Sequence, residues 1–176
     1  CRMNYQNILL EIEGPIAILK VNRPKQLNAL NKETIGELHQ SLKELRSQSG
    51  VRAIILTGEG AKAFVAGADI KEFADFGINE GTELAALGQE TLFDYIENFS
   101  KPIIAAVNGF ALGGGLELAM SCHFRIAAGN ANMGLPEVTL GLIPGYGGTQ
   151  RLAQLVGKGQ AMELIVTAEM VTANKA

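Results

Sequence analysis

Two glutamates occupy apolar, glycine-marked settings. Glu117 closes the run Gly113-Gly114-Gly115-Leu116-Glu117, and Glu137 follows Met133-Gly134-Leu135-Pro136 ahead of Leu142-Ile143-Pro144-Gly145-Tyr146-Gly147-Gly148. A carboxylate among apolar residues is costly unless it is paired or used, and bare glycine backbone leaves N–H groups free to approach a ligand. Two such carboxylates with exposed amides are the components of acid/base chemistry on a carbonyl compound.

Three segments carry this chemistry, and each has a plainer reading. Asn108 to Glu117 lies between an apolar strand and a helix, so an amide at Gly114 could face an oxyanion from a helix N-terminus. Equally, its glycines could serve only close helix–sheet packing, with Glu117 offsetting the dipole. The segment Ala63 to Phe73, with Ala66-Gly67-Ala68-Asp69-Ile70-Lys71, could supply a second amide and a phosphate-binding lysine. Alone, it reads better as a turn with a capping Asp69 and a solvated lysine. A lone loop glutamate such as Glu137 is usually solvated, but Leu135, Val138, Leu140, Leu142 and Ile143 around it point to partial burial.

Other chemistries lack their warrants. Gly58-Glu59-Gly60-Ala61-Lys62-Ala63 matches a loose dinucleotide fingerprint with Glu80 beyond it, yet Phe64-Val65-Ala66-Gly67 does not open a helix. The Walker lysine pattern and the G-x-S-x-G elbow are absent. His39 and His123 have no partners at metal-ligand spacing, so no metal is expected. A formal charge of −3 without a long basic run argues against nucleic acid. Cys1 and Cys122 do not make a disulfide framework, which favours a reducing, cytoplasmic location, with Cys122 packed as a small hydrophobe. The apolar stretches are broken well before the ~20 residues a membrane span needs.

The elements that must position these residues follow from periodicity. Ile8 to Ile12 and Ile16 to Val21 form a hairpin around Gly14-Pro15. Asn31 caps a helix with apolar positions Ile35, Leu38, Leu42 and Leu45, ending near Gly50. Ala53 to Thr57 and Ile103 to Val107 are apolar strands of the kind covered on both faces. Between them one amphipathic helix presents Leu84, Leu87, Leu92, Tyr95, Ile96 and Phe99 and stops at Lys101-Pro102. A helix from about Gly114 to Cys122, a strand Phe124 to Ala127, and helices from about Gly147 to Val156 and Gly159 to Val166 complete the chain. The alternation indicates an α/β fold with parallel pairing, and 176 residues suit one domain.

Taken together, the segments Arg23-Pro24-Lys25-Gln26-Leu27-Asn28-Ala29-Leu30, Ala66-Gly67-Ala68-Asp69-Ile70, Asn108 to Gly115 with Glu117, and Pro136-Glu137 through Ile143-Pro144-Gly145-Tyr146-Gly147-Gly148-Thr149-Gln150-Arg151-Leu152 resemble the enoyl-CoA hydratase (crotonase) family, in order and over essentially the whole chain. The resemblance implies a spiral of repeated ββα units with packed sheets and surrounding helices. It also implies reversible syn hydration of a trans-2-enoyl-CoA, with other reactions known on this superfold. In that reading Glu117 is the base that activates water and Glu137 the acid that protonates C2. The amides of Ala68 and Gly114 form the oxyanion hole, and the Gly145 amide places the water or Glu137. Lys25, Leu27, Ala66, Asp69, Ile70 and Lys71 line the CoA groove. Coenzyme A enters as part of the substrate, with no separate cofactor and no nucleic-acid or membrane partner.

The chain departs from common family residues at Leu116, Met133, Leu135 and Tyr146, which touches pocket shape and leaves both glutamates in place. Family members continue beyond the position of Ala176 into a C-terminal helical region that helps form trimers or dimers of trimers. The resemblance therefore implies that residues 3–176 are the spiral core, cut before that region.

Overall fold

Ile8–Glu13 (β1) and Ile16–Val21 (β2) pair antiparallel with Glu13 opposite Ile16, and Gly14 makes the turn at a φ of 57°, a left-handed value that favours glycine. The computed structural model describes residues 5–69, 72 and 77–176. Lys32–Ser47 (α1) begins where the Asn31 side chain accepts the Thr34 amide at 2.9 Å, satisfying one of the donors a helix start leaves open. Its predicted stripe of Ile35, Leu38, Leu42 and Leu45 is buried. Each such side chain is worth ~1.5–3 kcal/mol relative to exposure, which docks the helix on the sheet.

Ala53–Gly58 (β3) enters the sheet parallel to β2, and thereafter the chain alternates between two sheets. Ile103–Val107 (β5) and Phe124–Ala127 (β7) extend the first, giving the order β1-β2-β3-β5-β7 with β2 to β7 parallel. Ala63–Val65 (β4), Phe110–Leu112 (β6) and Asn132–Gly134 (β8) build the second in parallel, and Val171–Thr172 (β9) closes it antiparallel. From β3 to α4, each turn of the chain thus lays one strand in each sheet before a helix. This is the α/β spiral of ββα units expected from the sequence. The four strands of the second sheet were not expected, because two or three residues are too few to show a period.

The expected single helix after β4 is in three parts: Ile78–Gly88 (α2), a π-helical segment Gln89–Phe93, and Asp94–Glu97 (α3). Leu92, Ile96 and Phe99 are buried as predicted, Phe93 is buried with them, and Leu87 is exposed. The wider π turn rotates the helix face between the two stretches, so one stripe does not run through both. Gly114–Ser121 (α4), Gly148–Val156 (α5) and Lys158–Thr167 (α6) follow. Phe64, Ile54, Leu56, Leu92, Phe93 and Ile96 are fully buried between the layers. Cys122 packs among them, where burial pushes its thiol up to about 12. The loose dinucleotide motif runs from β3 into β4 rather than into a helix, and Glu80 caps α2 by accepting the Gly77 amide at 2.8 Å.

Candidate active site

The Ala68 amide is set by two loops laced together. Ala66 N–H donates to Leu27 O at 3.0 Å, Leu30 N–H to Gly67 O at 2.9 Å, and Asp69 N–H to Leu30 O at 2.7 Å. The Ala66 and Asp69 amides are thereby occupied, whereas the Ala68 N–H donates to no described residue. Asn28, buried and in the left-handed region at φ 60°, pins the outer loop. Its Oδ1 accepts the Arg23 amide at 3.0 Å, and its Nδ2 donates to Ala63 O at 2.8 Å and Glu59 O at 3.0 Å. Arg23 also donates to the Ala29 carbonyl and pairs with Asp69 at 2.8 Å. Asp69 is therefore an ion-pair partner, which replaces the capping role read from the sequence.

Gly114 is the first residue of α4, so its N–H has no intrahelical acceptor. A Cβ placed on Gly114 would lie 3.7 Å from the Ala68 nitrogen, which puts the two free amides side by side. A helix-start amide beside a second N–H from a neighbouring loop is suited to a developing negative charge.

Glu117, one turn into α4, is 1% exposed. Its Oε1 accepts the amides of Tyr146 at 2.8 Å and Gly148 at 2.7 Å, so the carboxylate sits on the N-terminus of α5. Oε2 takes no hydrogen bond from a described residue. Burial pushes the carboxyl up to about 7 against the opposing pull of those amides; the Glu137 charge adds to the rise and Arg151 subtracts from it.

Glu137 opens a short 3-10 turn, Glu137–Leu140, and is half-buried. Burial raises its pKa as well. Of the apolar neighbours that suggested this burial, Leu135 is buried and Val138 half-buried, whereas Leu140, Leu142 and Ile143 are exposed. The glycine run packs closely on it as well: a Cβ on Gly113 would stand 2.9 Å from Glu137 Oε1. Glu137 Oε2 is buried without a hydrogen-bond partner. Such an atom costs ~1–3 kcal/mol and points to a group supplied from outside the chain.

Tyr146 is the wall beside these groups. Its ring stacks on Phe93 at 4.4 Å and 9°, and lies where a Cβ on Gly88 or Gly114 would meet it at 2.7 and 3.3 Å. Burial and the Glu117 charge push its hydroxyl up to about 12.

The structure thus brings Ala68, Gly114, Glu117 and Glu137 together. Gly145 is exposed, and the amides that grip a glutamate are those of Tyr146 and Gly148. Lys25 is exposed on a 3-10 turn, Leu27 is 39% exposed beside it, and Ala66 is half-buried. Ile70 and Lys71 lie outside the described residues. Sequence reasoning missed Asn28, Arg23 and Arg151 as side chains that hold the loops. The left-handed positions at Leu27 and Asn28 carry no glycine to signal them.

The α/β spiral thus sets two carboxyls with raised pKa values near two amides that donate to no described residue. The sequence profile of the enoyl-CoA hydratase/isomerase family matches residues 11–176, and the chain belongs to that family. It is 52% identical over 174 residues to the short-chain-enoyl-CoA hydratase of Clostridium acetobutylicum, with 99% of this chain and 66% of that protein covered. Identity to the crotonyl-CoA hydratase of Syntrophomonas wolfei is 53% over 174 residues, with the same coverage. The crystal structure of enoyl-CoA hydratase from Bacillus anthracis superposes with a TM-score of 0.93 at 42% identity, covering 97% of this chain and 66% of that one. The chain spans 66% of the length of these relatives.

Proposed function

We propose that the protein catalyses the reversible syn addition of water to a trans-2-enoyl-CoA, giving a 3-hydroxyacyl-CoA. The observation that carries this reading is the pairing of Glu117, gripped through one oxygen by two amides, with Glu137, which has a buried oxygen left unpartnered. The relatives named as short-chain-enoyl-CoA and crotonyl-CoA hydratases support the substrate class.

In this mechanism the thioester carbonyl accepts the Ala68 and Gly114 amides. A water held between the carboxylates gives a proton to Glu117 Oε2 as its oxygen bonds to C3. The C2–C3 π pair moves toward the carbonyl, and the enolate oxygen is stabilised by both N–H groups. Glu137 then delivers a proton to C2, completing net addition of H2O. Burial raises the Glu137 pKa, which favours the protonated form that this step needs. Dehydration runs the same steps backwards with the roles exchanged. Lys25, Leu27, Ala66, Asp69, Ile70 and Lys71 form the proposed CoA groove, and coenzyme A takes part only as the substrate's carrier. We place the protein in the cytoplasm, as a homotrimer or dimer of trimers.

The test is loss of enoyl-thioester absorbance when the chain is mixed with crotonyl-CoA, with the 3-hydroxy product identified by chromatography. Hydration across short acyl chains is the expected result. Turnover of a 3-enoyl-CoA to the 2-enoyl isomer with no hydration would assign the site to isomerisation. Binding of CoA esters without either reaction would make it a non-catalytic acyl-CoA module.

A further inference from the structure

Arg151 is placed against the ordinary preferences of a cation. It lies in the first turns of α5, near the positive end of the helix dipole, and is only 6% exposed. A buried guanidinium there must be compensated on every face. Its Nη2 pairs with Asp94 at 2.7 Å and with Glu97 at 2.7 Å, its Nε donates to Glu97 at 2.9 Å, and its Nη1 donates to the Tyr146 carbonyl at 2.6 Å. Asp94 and Glu97 belong to α3, so this one side chain ties α3 to the loop that precedes α5.

That loop is the one whose amides hold Glu117. Tyr146 presents its carbonyl to Arg151 and its N–H to Glu117 Oε1, and Gly148 N–H completes the grip two residues on. Between them Gly147 has a φ of 83°, and a Cβ there would run into the Arg151 guanidinium. Resting on the hydratase reading above, we propose that Arg151 is a positioning residue: held by Asp94 and Glu97, it fixes the Tyr146–Gly148 loop so that both amides engage Glu117 Oε1 and leave Oε2 for the water.

The charged and titratable groups that face Glu117 are Glu137 from the 3-10 turn, Arg151 from α5 and the Tyr146 hydroxyl from the loop. Arg151 opposes the rise caused by burial and by Glu137, and Asp94 and Glu97 offset the arginine's own charge. Removing the arginine or the two carboxylates that hold it frees the loop and withdraws the amides from the Glu117 carboxylate, so both changes raise its titration midpoint, whereas a strut that does not act on Glu117 would leave that titration unmoved.

The experiment compares the native chain with R151Q, R151K and the double variant D94N/E97Q, following the 13C carboxyl signal of Glu117 through a pH titration, with the signal assigned by its loss in E117Q. In R151Q the midpoint rises by about one pH unit. Hydration of crotonyl-CoA falls ~10–100-fold in kcat with KM changed little, because the base is displaced rather than the ligand groove. R151K keeps the charge without the planar fork, so it holds the midpoint near the native one and recovers part of the rate. In D94N/E97Q the midpoint rises by less than in R151Q, because the arginine charge stays. If R151Q does not fold, the double variant decides alone: a raised midpoint with a fall in kcat supports the assignment, and an unmoved or lowered one overturns it. A folded R151Q with an unchanged titration also overturns it. Absence of hydration in the native chain would overturn the hydratase reading while the titration still decides the role of Arg151.

Discussion

A carboxyl that is 1% exposed and pushed up to about 7 by burial makes folding depend on pH in a definite direction. The folded value lies above the ordinary 4.5, so the fold binds a proton that the unfolded chain releases more readily. The contribution of Glu117 to stability is greatest below about 4.5, is lost as pH rises toward about 7, and is constant above that. The loss is about 3 kcal/mol. Glu117→Gln keeps an oxygen for the Tyr146 and Gly148 amides and removes the ionisation. The variant is therefore expected to melt roughly 5–10 °C above the native protein at pH 8, with most of that gain gone at pH 5. Calorimetry at the two pH values checks this; a variant less stable than the native chain at pH 8 would contradict it. Such a gain is the mark of a residue kept for chemistry at the expense of the fold.

The contact of α4 with β4 is what brings the two free amides together. A Cβ on Gly115 would run into the Val65 carbonyl and stand 3.0 Å from the Val65 Cβ, so Gly115→Ala must push α4 off the second sheet and carry the Gly114 amide away from Ala68. The expected cost is ~1–3 kcal/mol, with loss of turnover. Gly36→Ala is the control: the position is exposed within α1 with nothing within 4 Å, and alanine should stabilise by ~0.5–1 kcal/mol without touching activity. Urea unfolding of both variants makes the comparison, and equal effects would refute the packing argument. The same contrast explains what could be read in the sequence. Asn31, Ile35, Leu38, Leu42 and Leu45 announce α1 locally, and β3 and β5 are long enough to show an apolar run. β4, β6 and β8 have three residues each and exist only through one another. Glu117 and Glu137 were legible because carboxylates among glycines and apolar residues are unusual. Arg151 was not, because its partners Asp94 and Glu97 lie 57 and 54 residues away, and nothing local marks a helical arginine as buried.

Across the whole molecule the apolar surface is uneven. Phe124 and Ile126 on β7, an outer strand of the first sheet, are 59% and 60% exposed, and Ile143 is 73% exposed. An apolar cavity of about 270 Å³, lined by Leu116, Met133, Leu135, Leu152 and Leu164 among others, opens without either glutamate in its wall. Exposed large apolar side chains together with an open apolar cavity favour association. The isolated chain should scatter light as a species heavier than its 18.7 kDa; a stable, monodisperse monomer would show that these faces need no cover. What the assembled molecule does is tested most directly by the rate of crotonyl-CoA hydration in Glu117→Gln and Glu137→Gln beside the native chain, with CoA-ester affinity measured by calorimetry. The account predicts that each substitution leaves affinity within a few-fold and lowers turnover by ~10²–10⁴. Hydration at close to the native rate in either variant would contradict it.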